Sequence, residues 1–155
     1  MEELLKINDV QRAIKVLFNE KIPYNKLLGL RVRSLDPAKP TLEFNMRDEL
    51  IGNIVHKTLH GGVTSAVLDV TGGLVAFLNI MVKLGGLSKE ERVARFAKLG
   101  TIDLRVDYLR PGRGEQFIAT GYILRTGNKV AVTRMELHNE QDTLIAVGTG
   151  AYTVS

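Results

Sequence analysis

Between residues 63 and 82 the chain reads VTSAVLDVTGGLVAFLNIMV, and Asp69 is the only charge in it. Immediately upstream stand His60, Gly61 and Gly62. A carboxylate in so apolar a segment loses water, at a cost of roughly 2–7 kcal/mol for an unpaired polar group and more for an ion. Either the fold pairs Asp69 with backbone amides or an arginine, or the carboxylate is kept there for chemistry, as a base or a nucleophile. The glycine pair adds a second component. A helix starting there offers unpaired N–H groups and a partial positive charge, with no side chain to block an approaching carbonyl. One such amide, placed where an oxyanion develops, is worth roughly 2.7–4 kcal/mol to a transition state.

The elements that must position these groups follow from the hydrophobic pattern. Asn8 or Asp9 can cap a first helix running to about Glu20, with Val10, Ile14, Leu17 and Phe18 at helical spacing. Ile22-Pro23-Tyr24 ends it, and a short turn leads through Leu28. Leu28, Leu30 and Val32 then alternate as a strand, and Leu42, Phe44 and Met46 as another, separated by the Asp36-Pro37 and Lys39-Pro40 turns. The segment from Gly61 is apolar on nearly every side, as befits a helix in a core, and Gly85-Gly86 stops it. Ser88 and Glu91 form a capping box for an amphipathic helix over 88–99. After Gly100 the chain reads as strands. Ile102, Leu104, Val106 and Tyr108 share a face of the first, and segments 117–124, 130–137 and 144–154 follow. One long buried helix followed by consecutive strands indicates an α+β class with a curved antiparallel sheet wrapped around the helix, a hotdog fold.

Composition frames that reading. The 155 residues suit one domain, 1–155, with 1–28 as a helical lead-in and 88–99 as an inserted helix. The absence of cysteine removes disulfides, thiolate metal sites and a cysteine nucleophile, and suits a reducing cytoplasm. The N-terminal residues lack the basic-then-apolar order of a signal peptide. Residues 63–82 have the length of a membrane span, but Asp69, Asn79, the hydroxyl residues and Gly72-Gly73 argue against one. The net charge of +4 favours anionic partners. Its basic residues are dispersed among acids with no aromatic-rich basic strand, so nucleic acid is not indicated. His56 and His138 read as surface residues and, with His60, make no metal constellation.

The run Leu59-His60-Gly61-Gly62, Asp69 nine positions after the histidine, and DLRVDYLRP over 103–111 together resemble the PaaI-type hotdog thioesterases. More narrowly, GTIDLRVDYLRPGRGE and GNKVAVTRMELHNE resemble the bacterial medium- and long-chain acyl-CoA thioesterases, over nearly the whole chain from Tyr24. The resemblance implies a thioester hydrolase in lipid metabolism that needs no cofactor, coenzyme A being part of the substrate. It places the oxyanion amide on Gly61 and the catalytic carboxylate on Asp69. It places an upstream asparagine on Asn53, one residue further from His60 than usual, and a hydroxyl on Thr101, either of which would orient the water or the carboxylate. His60 and Gly62 adjoin the substrate, although His60 has the position of a residue that hydrogen-bonds its own loop. Arg110, Arg113 and Lys129, at strand ends or turns, are candidates for the coenzyme's phosphates.

Gly61 and Asp69 lie eight positions apart, so on one helix they are separated by roughly 12 Å, whereas reacting groups must converge to about 3–3.5 Å. Two helices antiparallel across a two-fold axis would bring Gly61 of one chain opposite Asp69 of the other. The expectation is an obligate homodimer with two composite sites, with dimers pairing further into a tetramer. Two other activities suit the same pattern: a non-catalytic acyl-CoA sensor, and an acyl-thioester dehydratase working through a histidine.

Overall fold

The computed structural model describes residues 9–155; the proposed Asn8 cap and the rest of 1–8 lie outside them. Asp9 caps the first helix, its carboxylate accepting from the amides of Gln11 and Arg12 at 2.9 and 3.3 Å. Helix α1 spans Val10–Val16 and, instead of continuing, widens into a π turn over Leu17–Lys21. Pro23 is the reason: it forces Ile22 into an extended conformation, φ −82° and ψ 110°. The Phe18 carbonyl instead accepts from Asn25 Nδ2 at 3.0 Å. What the sequence suggested as a turn is a second short helix, α2 (Pro23–Leu28), so the first strand begins three residues later than Leu28, at Arg31.

Strands β1 (Arg31–Ser34) and β2 (Thr41–Asn45) precede a small ribbon, β3 (Ile51–Asn53) with β4 (Thr58–Leu59). The sequence pattern gave no sign of this ribbon, because strands this short carry no readable alternation. Helix α3 runs unbroken from Gly61 to Leu84 with Gly85 beyond it, and the Ser88–Glu91 capping box opens α4 (Lys89–Ala97). Then come β5 (Gly100–Tyr108), β6 (Gln116–Thr126), β7 (Val130–Asn139) and β8 (Leu144–Thr153).

The six long strands form one antiparallel sheet in the order β1-β2-β6-β7-β8-β5, and α3 packs across β5 to β8. This is the hotdog arrangement. Phe44 and Phe117 stack with centroids 5.1 Å apart, both fully buried, beneath Val67, Leu68 and Leu74 of the helix. By length and composition α3 could cross a membrane, yet most of its apolar window is already buried within the fold.

Strand β5 departs from simple alternation. Leu104 and Val106 are partly buried, while Ile102 and Tyr108 are 55% and 56% exposed. A register shift between Thr101 and Asp103 leaves Ile102 as the extra residue of a bulge. Such bulges re-aim neighbouring side chains, and here the neighbour is Thr101.

Candidate active site

Two places on α3 gather polar groups. The first is its start. His60 is the N-cap, and its Nδ1 accepts from the Gly62 amide at 2.8 Å. The amides of Val63 and Thr64 donate to the His60 carbonyl at 3.0 and 3.3 Å. Among the described residues the Gly61 amide alone in this first turn has no hydrogen-bond partner. Gly61 lines a cavity of about 390 Å³ with Thr64, Tyr108, Arg110 and Gly112. The Tyr108 hydroxyl donates to the Gly61 carbonyl at 2.8 Å, fixing the turn.

The second place is Asp69, two turns on. The Thr101 hydroxyl donates to Asp69 Oδ1 at 2.9 Å. The Tyr152 hydroxyl lies 3.0 Å from the Asp69 carbonyl and 3.2 Å from Oδ1. Both contacts hold Oδ1; among the described residues nothing is hydrogen-bonded to Oδ2. Burial, reinforced by the Asp69 charge beside it, pushes the Tyr152 phenol well above its usual range, so it remains a donor at any working pH. Gly72 makes this contact possible: a Cβ there would stand 2.2 Å from the Tyr152 hydroxyl.

Asp69 lines a smaller cavity, about 160 Å³, together with Thr101, Tyr152 and Asn25 and with the apolar Phe18, Ile22, Val70, Phe96 and Leu99. Asn25 is 1% exposed, and its Oδ1 is the one buried side-chain atom among the described residues without a hydrogen-bond partner. Its Nδ2 is committed to Phe18, so Oδ1 stays an unpartnered acceptor enclosed beside the cavity.

The structure thus brings Asp69 and Thr101 together and separates them from Gly61 within the chain. Asn53 is exposed at the end of β3, its Oδ1 accepting from the amides of Val55 and His56, both at 3.0 Å. The ribbon adjoins the start of α3, since a Cβ on Gly52 would lie 2.6 Å from His60 Cα. Arg110 lines the Gly61 cavity, with Nη1 donating to the Leu144 carbonyl at 2.9 Å, and exposed Arg113 is on the same turn. Lys129 is exposed beside Val154, at the other end of β8 from the Ile145 that lines the Gly61 cavity. His56 is exposed, and His138 Nε2 lies 3.8 Å from Glu136. No group of His, Asp and Glu among the described residues is arranged to hold a metal ion.

Sequence reasoning missed Tyr152, Asn25 and Tyr108. Tyr152 reads only as one more inward residue of the last strand. Its meaning depends on the ladder that sets Thr101 opposite it and on the space left by Gly72.

Comparison with known proteins gives the family and the fold. The family model described as "Thioesterase superfamily" matches residues 56–146. The medium/long-chain acyl-CoA thioesterase YigI of Salmonella typhimurium is 42% identical over 154 residues, 99% of each chain. A crystal structure of a protein from Shewanella oneidensis, described as related to the thioesterase superfamily, superposes with a TM-score of 0.90 at 50% identity, covering 94% of this chain and 95% of that one. The Escherichia coli PaaI protein shares the fold, with a TM-score of 0.69 at 20% identity over 88% of this chain and 86% of its own.

Proposed function

This chain belongs to the thioesterase superfamily, and on that premise we propose that it hydrolyses medium- and long-chain acyl-CoA thioesters to a fatty acid and free coenzyme A. The observation that carries the reading is the carboxylate of Asp69. It is held through one oxygen by Thr101 and Tyr152, with its other oxygen unpartnered among the described residues, in a cavity lined largely by apolar side chains. Identity to an enzyme named for this substrate class supports the choice of acyl group.

In the reaction we propose, the thioester carbonyl oxygen accepts from the Gly61 amide and the carbonyl carbon faces Asp69. Water, donating to Asp69 Oδ2, loses a proton to the carboxylate as it attacks. Negative charge grows on the carbonyl oxygen, where the amide at a helix start stabilises it. Collapse breaks the carbon–sulfur bond, and the proton on Asp69 passes to the departing coenzyme A sulfur. The chain's own residues and water suffice for these steps.

The two halves of this machinery come from different subunits in our reading. Gly61 and Asp69 lie on one unbroken helix, roughly 12 Å apart, and line separate cavities. Among the described residues strand β5 ends the sheet, with no strand paired on one side and Ile102 exposed on it, a ready edge for a second copy. We therefore propose a homodimer, able to pair into a tetramer, with Arg110 and Arg113 beside the Gly61 cavity facing the coenzyme's phosphates. The cysteine-free chain suits the cytoplasm.

Release of free thiol from an acyl-CoA series, butyryl to stearoyl, tests the reading. Turnover that rises into the medium and long chains is expected. Tight binding of every member without thiol release would replace it with a sensor.

Tyr152 acts on the reaction only through Asp69, as a positioning residue. Tyr152→Phe removes one hydroxyl, and hydrogen bonds to charged groups are worth roughly 1.5–3 kcal/mol. The expected outcome is a kcat lowered about tenfold with KM nearly unchanged, measured on octanoyl-CoA. A purely packing role would leave kcat intact and lower only the melting temperature.

A further inference from the structure

Further along α3 from the Asp69 cavity lies a larger one, about 450 Å³, lined by Val10, Ile14, Leu78, Met81, Leu87 and Arg92 among others. Three parts of the chain contribute to both cavities, each passing from one to the other. On the lead-in, Ile22 and Phe18 border the first and Ile14 and Val10 the second. On α3, Asp69 and Gly73 are followed by Leu78 and Met81; Leu99, just past α4, and Phe96 on it border the first cavity and Arg92 the second.

Three phenylalanines stand between them. Phe96 meets Phe18 edge-on with centroids 6.0 Å apart and interplanar angle 73°, and Phe77 at 5.5 Å and 82°. Phe18 and Phe77 are buried at 3% and 4% exposure, but Phe96 is only partly buried, and no residue of α4 is fully buried. Phe18 rides on the π turn, a distortion often found at functional positions. The wall carrying Phe96 is therefore the weakly held one, following the Gly85-Gly86 pair at φ +55°.

We propose that this aromatic cluster is a gate that reads acyl-chain length, and that the second cavity receives the distal methylenes of long chains. The proposal rests on the acyl-thioester reading of the Asp69 site. A cavity of about 150 Å³ lined by aliphatic and aromatic side chains holds a benzene, six carbons, so the 160 Å³ in front of the gate is on the scale of a short acyl group. From Gly73 to Met81 α3 rises roughly 12 Å, so a longer chain following the helix must pass Phe77. Rotation of Phe96 opens that path, exchanging its two edge contacts for contacts with the chain. The occupant is apolar because the path past Asp69 is apolar through Gly73, Phe77, Leu78 and Met81, with Gln11 and Arg92 the only polar side chains lining the second cavity among the described residues.

Met81→Trp and Leu87→Trp each fill the second cavity, and Phe96→Ala removes the gate. The readout is the ratio of kcat/KM for palmitoyl-CoA to that for octanoyl-CoA, on variants whose thermal melts show them folded. Each methylene denied a buried site costs about fourfold. The ratio is expected to fall tenfold or more in both tryptophan variants and to rise in Phe96→Ala. Two tryptophans are used so that one variant failing to fold still leaves a result. A ratio within twofold of wild type in a folded tryptophan variant overturns the gate while leaving the hydrolase standing. A wild-type protein that releases no thiol from any acyl-CoA takes down both.

Discussion

Asp69→Asn lowers kcat for octanoyl-CoA by about 10²–10⁴-fold, the range a general base supplies, while the protein stays folded. The substitution preserves shape. The amide oxygen can still accept from Thr101 at the 2.9 Å position and from Tyr152, so what is lost is the ability of the other oxygen to take a proton. Steady-state kinetics with a thermal melt as control separates the two. Because the Thr101 and Tyr152 contacts survive, the melt should move little. A variant with more than a tenth of wild-type kcat would remove Asp69 from the chemistry and return it to a structural role in the helix.

Gly61→Pro is the second large effect, and it isolates a single N–H. Proline is well tolerated at the first position of a helix, where its missing donor has no helical partner. His60 already has φ −63° and ψ 135°, a conformation that suits a residue before proline. A Cβ at Gly61 would meet only the Tyr108 ring, at 3.5 Å or beyond, an ordinary contact. Loss of one oxyanion donor costs roughly 10²–10³ in kcat, and that is the decrease expected here. Gly61→Ala, which adds a methyl group and keeps the amide, serves as its control. Equal losses in both would mean that space at Gly61, rather than its N–H, is what matters.

Much of this site was legible in the sequence, for reasons that can be traced. A lone acid in an apolar helix is an energetic anomaly that needs no structure to notice, and glycines before such a helix mark its exposed amides. The helix rise then placed Gly61 and Asp69 too far apart to serve one carbonyl, and the structure does put them on separate cavities. The capping box at Ser88 and the long antiparallel strands were readable because caps and alternation are local signals. What escaped was non-local. The π turn arises from Pro23 acting backwards on a helix whose periodicity looked continuous. Tyr152 reaches Asp69 across 83 positions of sequence, and only because Gly72 leaves it room. Asn25 stands out only through a buried oxygen left unpartnered, which no spacing rule reports. The bulge at Ile102 likewise belongs to the pairing of β5 with β8 rather than to either strand alone.

A shared site between subunits makes a quantitative demand. In a two-fold dimer, a chain carrying Asp69→Asn and a chain carrying Gly61→Pro form one site with both defects and one with neither. Each variant alone is inactive. Unfolded together in equal amounts and refolded, half of the dimers are mixed, so activity returns to about a quarter of wild type. If Gly61 and Asp69 of the same chain served one carbonyl, every site in the mixture would carry a defect. Activity would then stay at the level of the separate variants, contradicting the shared site.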